Sequence, residues 1–445
     1  MIKSGKRVFL FLVMFVLLAL TACSSGTSGG PNAVNDPDPD SNTEVELEEG
    51  QIELRVAWWG SQTRHDRTLE AIELFEEQNP NIVVTPEFTG WDGYWERLAT
   101  QAAGQNLPDV FQMDLQYLNE YVSRGLLEDL GPLVESGHLN LDDVDELYLT
   151  GGRIDDDLYA INLGANSLAI AYDPAMFEEA GVPVLEPGYS WDDYLSTSRA
   201  LKEKLGDDVY VQSLSDLHGF KHYLRQHDLW LYNEDNTGLG YDDDQYFIDY
   251  FSMWNDLLRE EVSAGPDITS EIQGLEDELI VHGRSPVLMF HSNQIVGLQR
   301  AADRPLEMAL FPSMPGKTDA HFLKPSQFFS ITSQSQQQEA AAEFIDFITN
   351  SLEANDILAA ERGVPISEAV REHLYPQLSE YEQMQFDYIE LVQENSSEIH
   401  APEPAGLSEI NGLFDRKLEE LEYGVITVEE FAQEFREGVE QILGN

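Results

Sequence analysis

Cysteine is almost absent from this chain, since its 445 residues contain only Cys23. One thiol excludes a disulfide within the chain and a metal site built on several cysteines. Basic residues are also scarce, at 25 Lys and Arg against 82 Asp and Glu, and the formal net charge is −57. Proteins hold nucleic acids with clustered Lys and Arg. No extended basic patch occurs here, and we therefore expect no nucleic-acid partner.

Long apolar runs are missing beyond the first 20 residues. After that point no stretch of about 18 apolar residues could cross a membrane as a helix. The early apolar run spans residues 8–20 and follows Lys3, Lys6 and Arg7. Its length of about 13 residues is within the range that is usual for the apolar part of a secretory signal. A basic start followed by a short apolar run is typical of a secretory signal.

The signal ends in the string Leu20-Thr21-Ala22-Cys23. This string resembles the lipobox of bacterial lipoproteins, which implies cleavage after residue 22 and a diacylglycerol thioether on Cys23. Two acyl chains anchor a protein stably, because each buried methylene contributes about 0.8 kcal/mol. We therefore expect a signal peptide at 1–22 and a lipid-anchored protein on the extracytoplasmic face of the cell membrane. An ordinary signal with a chance cysteine is the alternative.

Residues 23–50 are rich in Ser, Gly, Pro and acidic side chains, and they predict a flexible acidic linker. Removing the three bases before Cys23 leaves 22 bases against 82 acids, and such a charge favours solubility. The roughly 395 residues that follow are too many for one typical core, so we expect two domains. We expect the body to be a monomer.

The start of the body alternates strand and helix patterns. Residues 52–59, 82–84 and 108–114 read as strands, and residues 69–77 and 94–103 as helices. This rhythm predicts a parallel α/β sheet that is covered on both faces. Ligands of such sheets bind beyond the carboxyl ends of the strands. Those ends are the segments 59–61 and 112–114.

Later segments continue the mixed pattern. Residues 158–161, 168–172 and 286–290 read as strands. Asp173 and Ser190 are placed to begin helices, and apolar spacing predicts helices near 340–347 and 431–442. The sequence shows no internal repeat.

Several short motifs occur in an order that resembles a known family. They are Trp58-Trp59-Gly60, Asn79-Pro80, Gly90-Trp91-Asp92, Gly104, Pro108-Asp109-Val110, Leu158-Tyr159-Ala160-Ile161, Tyr172-Asp173 and Trp191-Asp192-Asp193. Together they resemble the extracellular solute-binding proteins of sugar-importing ABC transporters, over roughly residues 52–440. Residues 58–65 look most similar to oligosaccharide binders of that group, some of which serve oligogalacturonides.

The resemblance implies a two-lobed clamshell of the periplasmic-binding-protein type, each lobe a parallel-dominated sheet flanked by helices. It implies a first lobe from 51–164 plus 288–330 and a second from 165–287 plus 331–445. Strands would cross between them near 161–168, 286–291 and 327–332. The implied function is capture of an oligosaccharide by lobe closure and delivery to an ABC permease, without catalysis and without a cofactor.

Sugars are bound by aromatic platforms and by polar donors and acceptors in a partly closed cleft. Candidate ligand contacts lie at strand ends, at the implied crossings and in one basic, aromatic segment. They are Trp59, Ser61, Gln62, Arg64, His65, Trp91, Tyr94, Asp114, Gln116, Asn166, Lys221, His291, Asn293 and Gln294. Each has a plain alternative: core packing for Trp59, a packed turn for Trp91 and Tyr94, and a charged helix face for Lys221.

The bases among these candidates bear on the charge of the ligand. If Arg64, His65, Lys221 and His291 share one cleft, charge-assisted hydrogen bonds favour an anionic sugar such as a uronide. If they point outward, a neutral oligosaccharide is favoured. The sequence leaves both open.

Other functions find less support in the residues. The acidic segment 233–244 lacks the spacing of a calcium loop, and no His-Glu-x-x-His string occurs, so we expect no metal site. A surface-anchored glycoside hydrolase or uronide lyase stays an alternative, because paired carboxylates suffice for that chemistry. A sugar receptor for a sensor kinase is a third possibility.

Overall fold

The computed structural model describes residues 47, 50–233, 235–317, 320–399, 403–404 and 406–444. Cys23, the predicted signal peptide and most of the predicted linker lie outside these residues. Within the described part of the chain, no helix is long and apolar enough to cross a membrane.

Twelve strands and sixteen α-helices are described. The strands are β1 (Ile52–Trp59), β2 (Ile82–Thr89), β3 (Val110–Met113), β4 (Arg153–Ile154), β5 (Asp157–Leu158), β6 (Ile161–Asn162), β7 (Ala165–Asn166), β8 (Leu168–Tyr172), β9 (Val287–His291), β10 (Glu307–Ala309), β11 (Lys324–Pro325) and β12 (Phe328–Ile331). The helices are α1 (Gln62–Gln78), α2 (Trp91–Ala103), α3 (Leu115–Ser123), α4 (Gly131–Glu135), α5 (Pro174–Ala180), α6 (Trp191–Leu205), α7 (Leu217–Arg225), α8 (Gln245–Arg259), α9 (Pro266–Thr269), α10 (Ile295–Ala302), α11 (Gln338–Asn350), α12 (Leu352–Leu358), α13 (Glu368–Leu374), α14 (Glu380–Glu394), α15 (Leu407–Glu422) and α16 (Val428–Leu443).

The first sheet has five strands in the order β2-β1-β3-β12-β6. β1 pairs in parallel with β2 and β3, as the sequence predicts, while β12 pairs antiparallel with both β3 and β6. The predicted strand 158–161 is divided, because Tyr159 and Ala160 lie between β5 and β6. The carboxyl end of β3 leads directly into α3, where Asp114 caps the helix.

The second sheet has three strands in the order β10-β8-β9, and both pairings are antiparallel. The expectation of a parallel-dominated sheet in each lobe is therefore wrong for this one. β9 and β10 flank β8 and run in the same direction as each other, with the short α10 between them. The core on this side is built from aromatic side chains of α6, α7, α8 and α16, among them Phe220, Phe247 and Phe431.

Two short strands join the sheets. β7 follows the first-sheet strand β6 and precedes the second-sheet strand β8, and it pairs antiparallel with β11. Gly164 lies just before β7, where an added Cβ would stand 2.5 Å from the carbonyl oxygen of Arg362. The backbones approach so closely here that only glycine fits without displacement.

The segments fall on the two sheets differently from the expected lobe boundaries. Of residues 288–330, β9 and β10 pair with β8 of the second sheet, and β12 alone forms part of the first. Of residues 331–445, α11 and α12 pack on α1 beside the first sheet, whereas α15 and α16 contact α8. The expected crossings at 286–291 and 327–332 are instead the sheet strands β9 and β12. The chain returns from the second sheet to the first before residue 327, through β11.

Both tryptophans of β1 are buried. Trp58 is fully inaccessible, and its indole Nε1 donates to Nδ1 of His65 at 3.1 Å. Trp59 is 8% exposed and lies on the other face of the strand, within a second group of apolar side chains. Because both faces of a parallel sheet are covered, core packing is the role that this position dictates.

Several helix starts follow the sequence signals. Asp173 accepts hydrogen bonds from the backbone N–H groups of Ala175 and Met176 and begins α5. Ser190 and Asp193 form a reciprocal capping box at α6. Such caps satisfy backbone donors that have no partner inside the helix.

Candidate functional site

Two neighbouring cavities lie where elements of the two sheets meet. We call the larger, of about 500 Å³, the main chamber, and the other, of about 470 Å³, the second chamber. His291 and Lys324 line both cavities, so the chambers adjoin. Each volume lies within the range of roughly 300–1,000 Å³ that small-molecule sites occupy.

The main chamber is bounded by residues of α3, α7 and the loops that follow α7 and α14. Its lining comprises Asp114, Leu115, Gln116, Ser167, Leu168, Asp216, Leu217, His218, Lys221, His222, Arg225, Trp230, Leu231, Tyr232, Asn236, His291, His321, Phe322, Lys324, Ile399, Glu403, Leu407, Asn411, Phe414 and Asp415. The second chamber is lined by Arg64, Asn166, His291, Asn293, Gln294, Lys324, Ser326, Gln327, Ala360, Glu361, Arg362, Gly363 and Gln385.

Helix starts hold two acids of the main chamber in place. The carboxylate of Asp114 accepts from the backbone N–H of Gln116 at 3.0 Å, and that of Asp216 accepts from Gly219 at 2.8 Å. Burial raises the pKa of Asp216 to about 6, and burial also raises the pKa of Asp114. The caps fix the orientation of both carboxylates, which can accept hydrogen bonds from ligand hydroxyl groups.

Aromatic rings provide the apolar part of the main chamber. The guanidinium of Arg225 lies 4.5 Å from the ring centre of Trp230 and 5.2 Å from that of Phe322. The hydroxyl of Tyr232 is buried and finds no hydrogen-bond partner in the described part of the chain. A buried hydroxyl without a partner is costly and is ready to bond to a ligand. Flat rings beside polar groups suit the faces and edges of a sugar.

The histidines of the main chamber are neutral near pH 7. Burial lowers the pKa of His218 and of His222 to about 3, and that of His291 to about 4. Burial also holds the pKa of His321 well below its usual value. These four rings therefore supply hydrogen-bonding nitrogen atoms and no positive charge.

The second chamber is built around the connection between the sheets and the start of α1. Arg64 Nε lies 2.8 Å from Oε2 of Glu361, and Arg362 Nη2 donates to Oγ1 of Thr68 at 2.8 Å. Arg362 is 6% exposed, and its Nε has no hydrogen-bond partner among the described residues. Asn166 is 5% exposed, and its Oδ1 is likewise without a described partner.

Eight of the fourteen ligand-contact candidates line these chambers. Those in the main chamber are Asp114, Gln116, Lys221 and His291, and those in the second are Arg64, Asn166, Asn293 and Gln294, with His291 shared. The structure thus brings together residues that are up to 230 positions apart in the sequence, from Arg64 to Gln294.

The other six candidates are not part of either lining. Trp59, Trp91 and Tyr94 form an aromatic cluster, in which Trp59 lies 5.0 Å from Trp91 and 5.2 Å from Tyr94 between ring centres. The hydroxyl of Tyr94 is buried and donates to the carbonyl of Gln112 at 2.6 Å. These contacts are those of packing, with Trp91 the most exposed of the three.

The side chains of Ser61, Gln62 and His65 lie at the start of α1 and make local contacts there. The hydroxyl of Ser61 caps the helix, and Gln62 donates to Asp66 at 2.7 Å. His65 is 7% exposed, and burial lowers its pKa. His65 lies against Trp58 and lines neither chamber, and a contact with the ligand stays a prediction for this residue.

Sequence reasoning missed several lining residues, chiefly Lys324, Arg362, Asp216, Trp230 and Tyr232. Lys324 had a usable signal, because lysine is rare and this one adjoins an apolar strand. Arg362 had none, since the loop after α12 approaches the first sheet only through folding. Within the described residues, no group of three or more metal-ligating side chains stands together.

The family model described as bacterial extracellular solute-binding protein matches residues 61–351. A putative binding protein from Brucella abortus (strain 2308) is 24% identical over 313 residues, which are 67% of this chain and 72% of the relative.

Solved structures are similar over nearly the whole body. An extracellular solute-binding protein family 1 from Alicyclobacillus acidocaldarius has a TM-score of 0.80 at 29% identity, covering 89% of this chain and all of the other. A periplasmic oligogalacturonide binding protein from Yersinia enterocolitica has a TM-score of 0.77 at 28% identity, covering 88% and 99%. Its complex with saturated digalacturonic acid has a TM-score of 0.68 with the same coverage.

These structures are two-lobed, with a mixed α/β fold like the one described here. The family match covers more than half of the chain, and the structural likeness covers 89% of it. The chain belongs to the bacterial extracellular solute-binding protein family.

Proposed function

We propose that this protein captures an extracellular oligosaccharide in the two adjoining chambers and delivers it to the permease of an ABC transporter. The observation that carries the proposal is the pair of adjoining chambers, which aromatic rings, buried acids and neutral histidines line together with cations and amides. The oligogalacturonide-binding neighbour adds support, since its fold matches this chain over 88% of its length.

Closure of the lobes would link capture to delivery. Residues from both sides line the main chamber, Asp114 from the end of β3 and Lys221 from α7. A ligand that touches both sides binds the closed form better and so shifts the population toward it. The permease would then recognise the closed form.

The anchor belongs to the same proposal. A lipidated Cys23 would hold the protein at the extracytoplasmic face of the membrane, with residues 24–50 as an acidic tether. The body would act as a monomer. This arrangement keeps a non-enzymatic receptor close to its permease.

The test is a thermal-shift and calorimetry screen of the body, residues 47–445, which form one compact unit. Neutral oligosaccharides and uronic oligosaccharides, digalacturonate among them, are the probes. A ligand at 100 times its dissociation constant should stabilise the body by about 2.7 kcal/mol. If no sugar shifts the unfolding temperature, the proposal is wrong. New reducing ends or unsaturated products would indicate an enzyme instead.

A further inference from the structure

The two chambers differ in the sign of their charge. The main chamber has three permanent cations, Lys221, Arg225 and Lys324, against four acidic side chains, Asp114, Asp216, Glu403 and Asp415. The second chamber has Arg64, Lys324 and Arg362 against the single acid Glu361. Formal charges therefore give −1 for the main chamber and +2 for the second, although the whole chain has a net charge of −57.

Two cations of the second chamber are not neutralised by an ion pair. No carboxylate of the described residues pairs with Lys324 or Arg362, whereas Arg64 pairs with Glu361 and Lys221 with Glu403. Burying a cation without a partner is expensive. In a chain with more than three acids for each base, neither cation has a carboxylate within ion-pair distance among the described residues, although Asp114 and Glu403 act on Lys324 and Glu361 acts on Arg362 from further away. This leaves a place for a carboxylate from outside.

We propose that the second chamber binds a carboxylate of the ligand through Lys324 and Arg362, and that the main chamber holds its uncharged sugar faces. The inference rests on the proposed function and narrows it to acidic oligosaccharides with a defined orientation. Asn166 supplies a hydrogen-bond acceptor beside the cations, suited to a sugar hydroxyl group. Lys324 lines both chambers and is the residue that distinguishes acidic from neutral ligands.

The position of the chamber supports this assignment. Asn166 belongs to β7 and Lys324 to β11, and Arg362 lies two residues before Val364, whose backbone bridges to Ala165. These segments connect the two sheets and are fixed to one another by backbone hydrogen bonds. The carboxylate is therefore recognised at the hydrogen-bonded connection between the two sheets. The rest of the sugar lies against the parts of the lobes that close on it.

The experiment measures the affinity of the full body for matched pairs of ligands. The probes are digalacturonate, diglucuronate and dimannuronate, each beside its fully methyl-esterified, uncharged form. The variants are Lys324→Gln and Lys324→Arg. Lys317→Gln is the matched control, because Lys317 pairs with Asp228 at the surface and lines neither chamber. Thermal unfolding without ligand checks that each variant is folded.

The wild-type protein should bind at least one acid about tenfold or more tightly than its ester, as expected for a charge-assisted hydrogen bond. Lys324→Gln should remove that preference, so that the variant binds each acid and its ester with about equal affinity. Lys324→Arg and Lys317→Gln should keep the preference.

Two other results separate the inference from the proposed function. If the wild-type protein binds acids and esters equally, or if Lys324→Gln weakens both alike, the inference is overturned and sugar capture stands. If the wild-type protein binds none of the six probes and no neutral oligosaccharide, both are overturned.

Discussion

The ammonium of Lys221 lies 2.5 Å from Oε1 of Glu403, a residue 182 positions further along the chain. Both side chains are largely buried, at 22% and 28% exposure, and Oε2 of Glu403 has no hydrogen-bond partner among the described residues. The pair holds the loop after α14 against α7 and neutralises Lys221, one of the two cations that α7 contributes to the main chamber.

Lys221→Gln should therefore destabilise the body, because Glu403 would keep its charge in a buried place without its cation. We expect the free energy of unfolding to fall by about 1–3 kcal/mol, measured by urea unfolding. The double variant with Glu403→Gln should recover part of that loss. Strictly additive losses would show that the two side chains are not coupled.

Asn166→Ala should affect mainly sugar binding, whereas Trp59→Ala should affect mainly the stability of the fold. Asn166 lines the second chamber with a free acceptor, so its loss should weaken sugar binding while the unfolding temperature changes little. Trp59 packs among aromatic rings, and its truncation should cost about 3–5 kcal/mol of stability. Calorimetry measures the sugar affinity of both variants, and thermal unfolding measures their stability. Unchanged affinity in Asn166→Ala would contradict its place in the site.

The buried histidines should make the body sensitive to acid. The pKa of His222 is about 3 in the folded protein and near 6.5 once unfolded. Only the unfolded state gains a proton as the pH falls below 6.5, so the stability from this ring is present above pH 6.5 and lost toward pH 3. By pH 5 the loss is about 2 kcal/mol.

His222→Gln should accordingly show a smaller drop in unfolding temperature between pH 7 and pH 5 than the wild-type protein. Asp216 acts in the opposite direction, since its raised pKa of about 6 makes the folded state take up a proton as the pH falls below that value. His282→Gln, at an exposed position, is the control. Equal pH profiles for His222→Gln and the wild-type protein would refute the assignment.

Gly164→Ala should disturb the connection between the sheets. Its Cβ would stand 2.5 Å from a backbone oxygen of Arg362, and the two segments would have to separate. Overpacking of this kind costs about 1–3 kcal/mol. Gly93→Ala in α2 is the control, because its Cβ would meet nothing closer than 3.4 Å. Similar stability of the two variants would contradict the close approach.

Cys23→Ser tests the anchor. The variant should appear in the soluble fraction and keep the unfolding temperature of the body, because Cys23 precedes the compact unit that begins at Leu47. Radiolabelled palmitate should mark the wild-type protein alone. A variant that still sediments with membranes would rule out the lipobox as the attachment.

Part of the fold around both sheets could be predicted from local patterns. The parallel pairing of β1 with β2 and β3 and the caps at Asp173 and Ser190 follow from alternation, spacing and capping residues. These features depend on neighbours in sequence. The fold class follows from the ordered motifs.

The second sheet and the charge of the site were beyond local patterns. β9 and β10 flank β8 after more than 100 intervening residues, and no periodicity encodes such a pairing. Whether Lys221 is free or paired depends on Glu403, and whether Lys324 has a partner depends on every loop around it. Burial also lowers the pKa of His65 and of His291, which only the folded structure reveals.

The order of strands also predicts how truncated forms of the chain behave. β3 is the third strand of the first sheet, and its outer edge is covered only by β12, more than 200 residues later. A product that ends before residue 328 would leave Val110–Met113 with unpaired backbone groups and apolar side chains, which invites pairing with another molecule. Fragments of this protein that lack β12 should accumulate as aggregates, whereas the full chain closes its own edge.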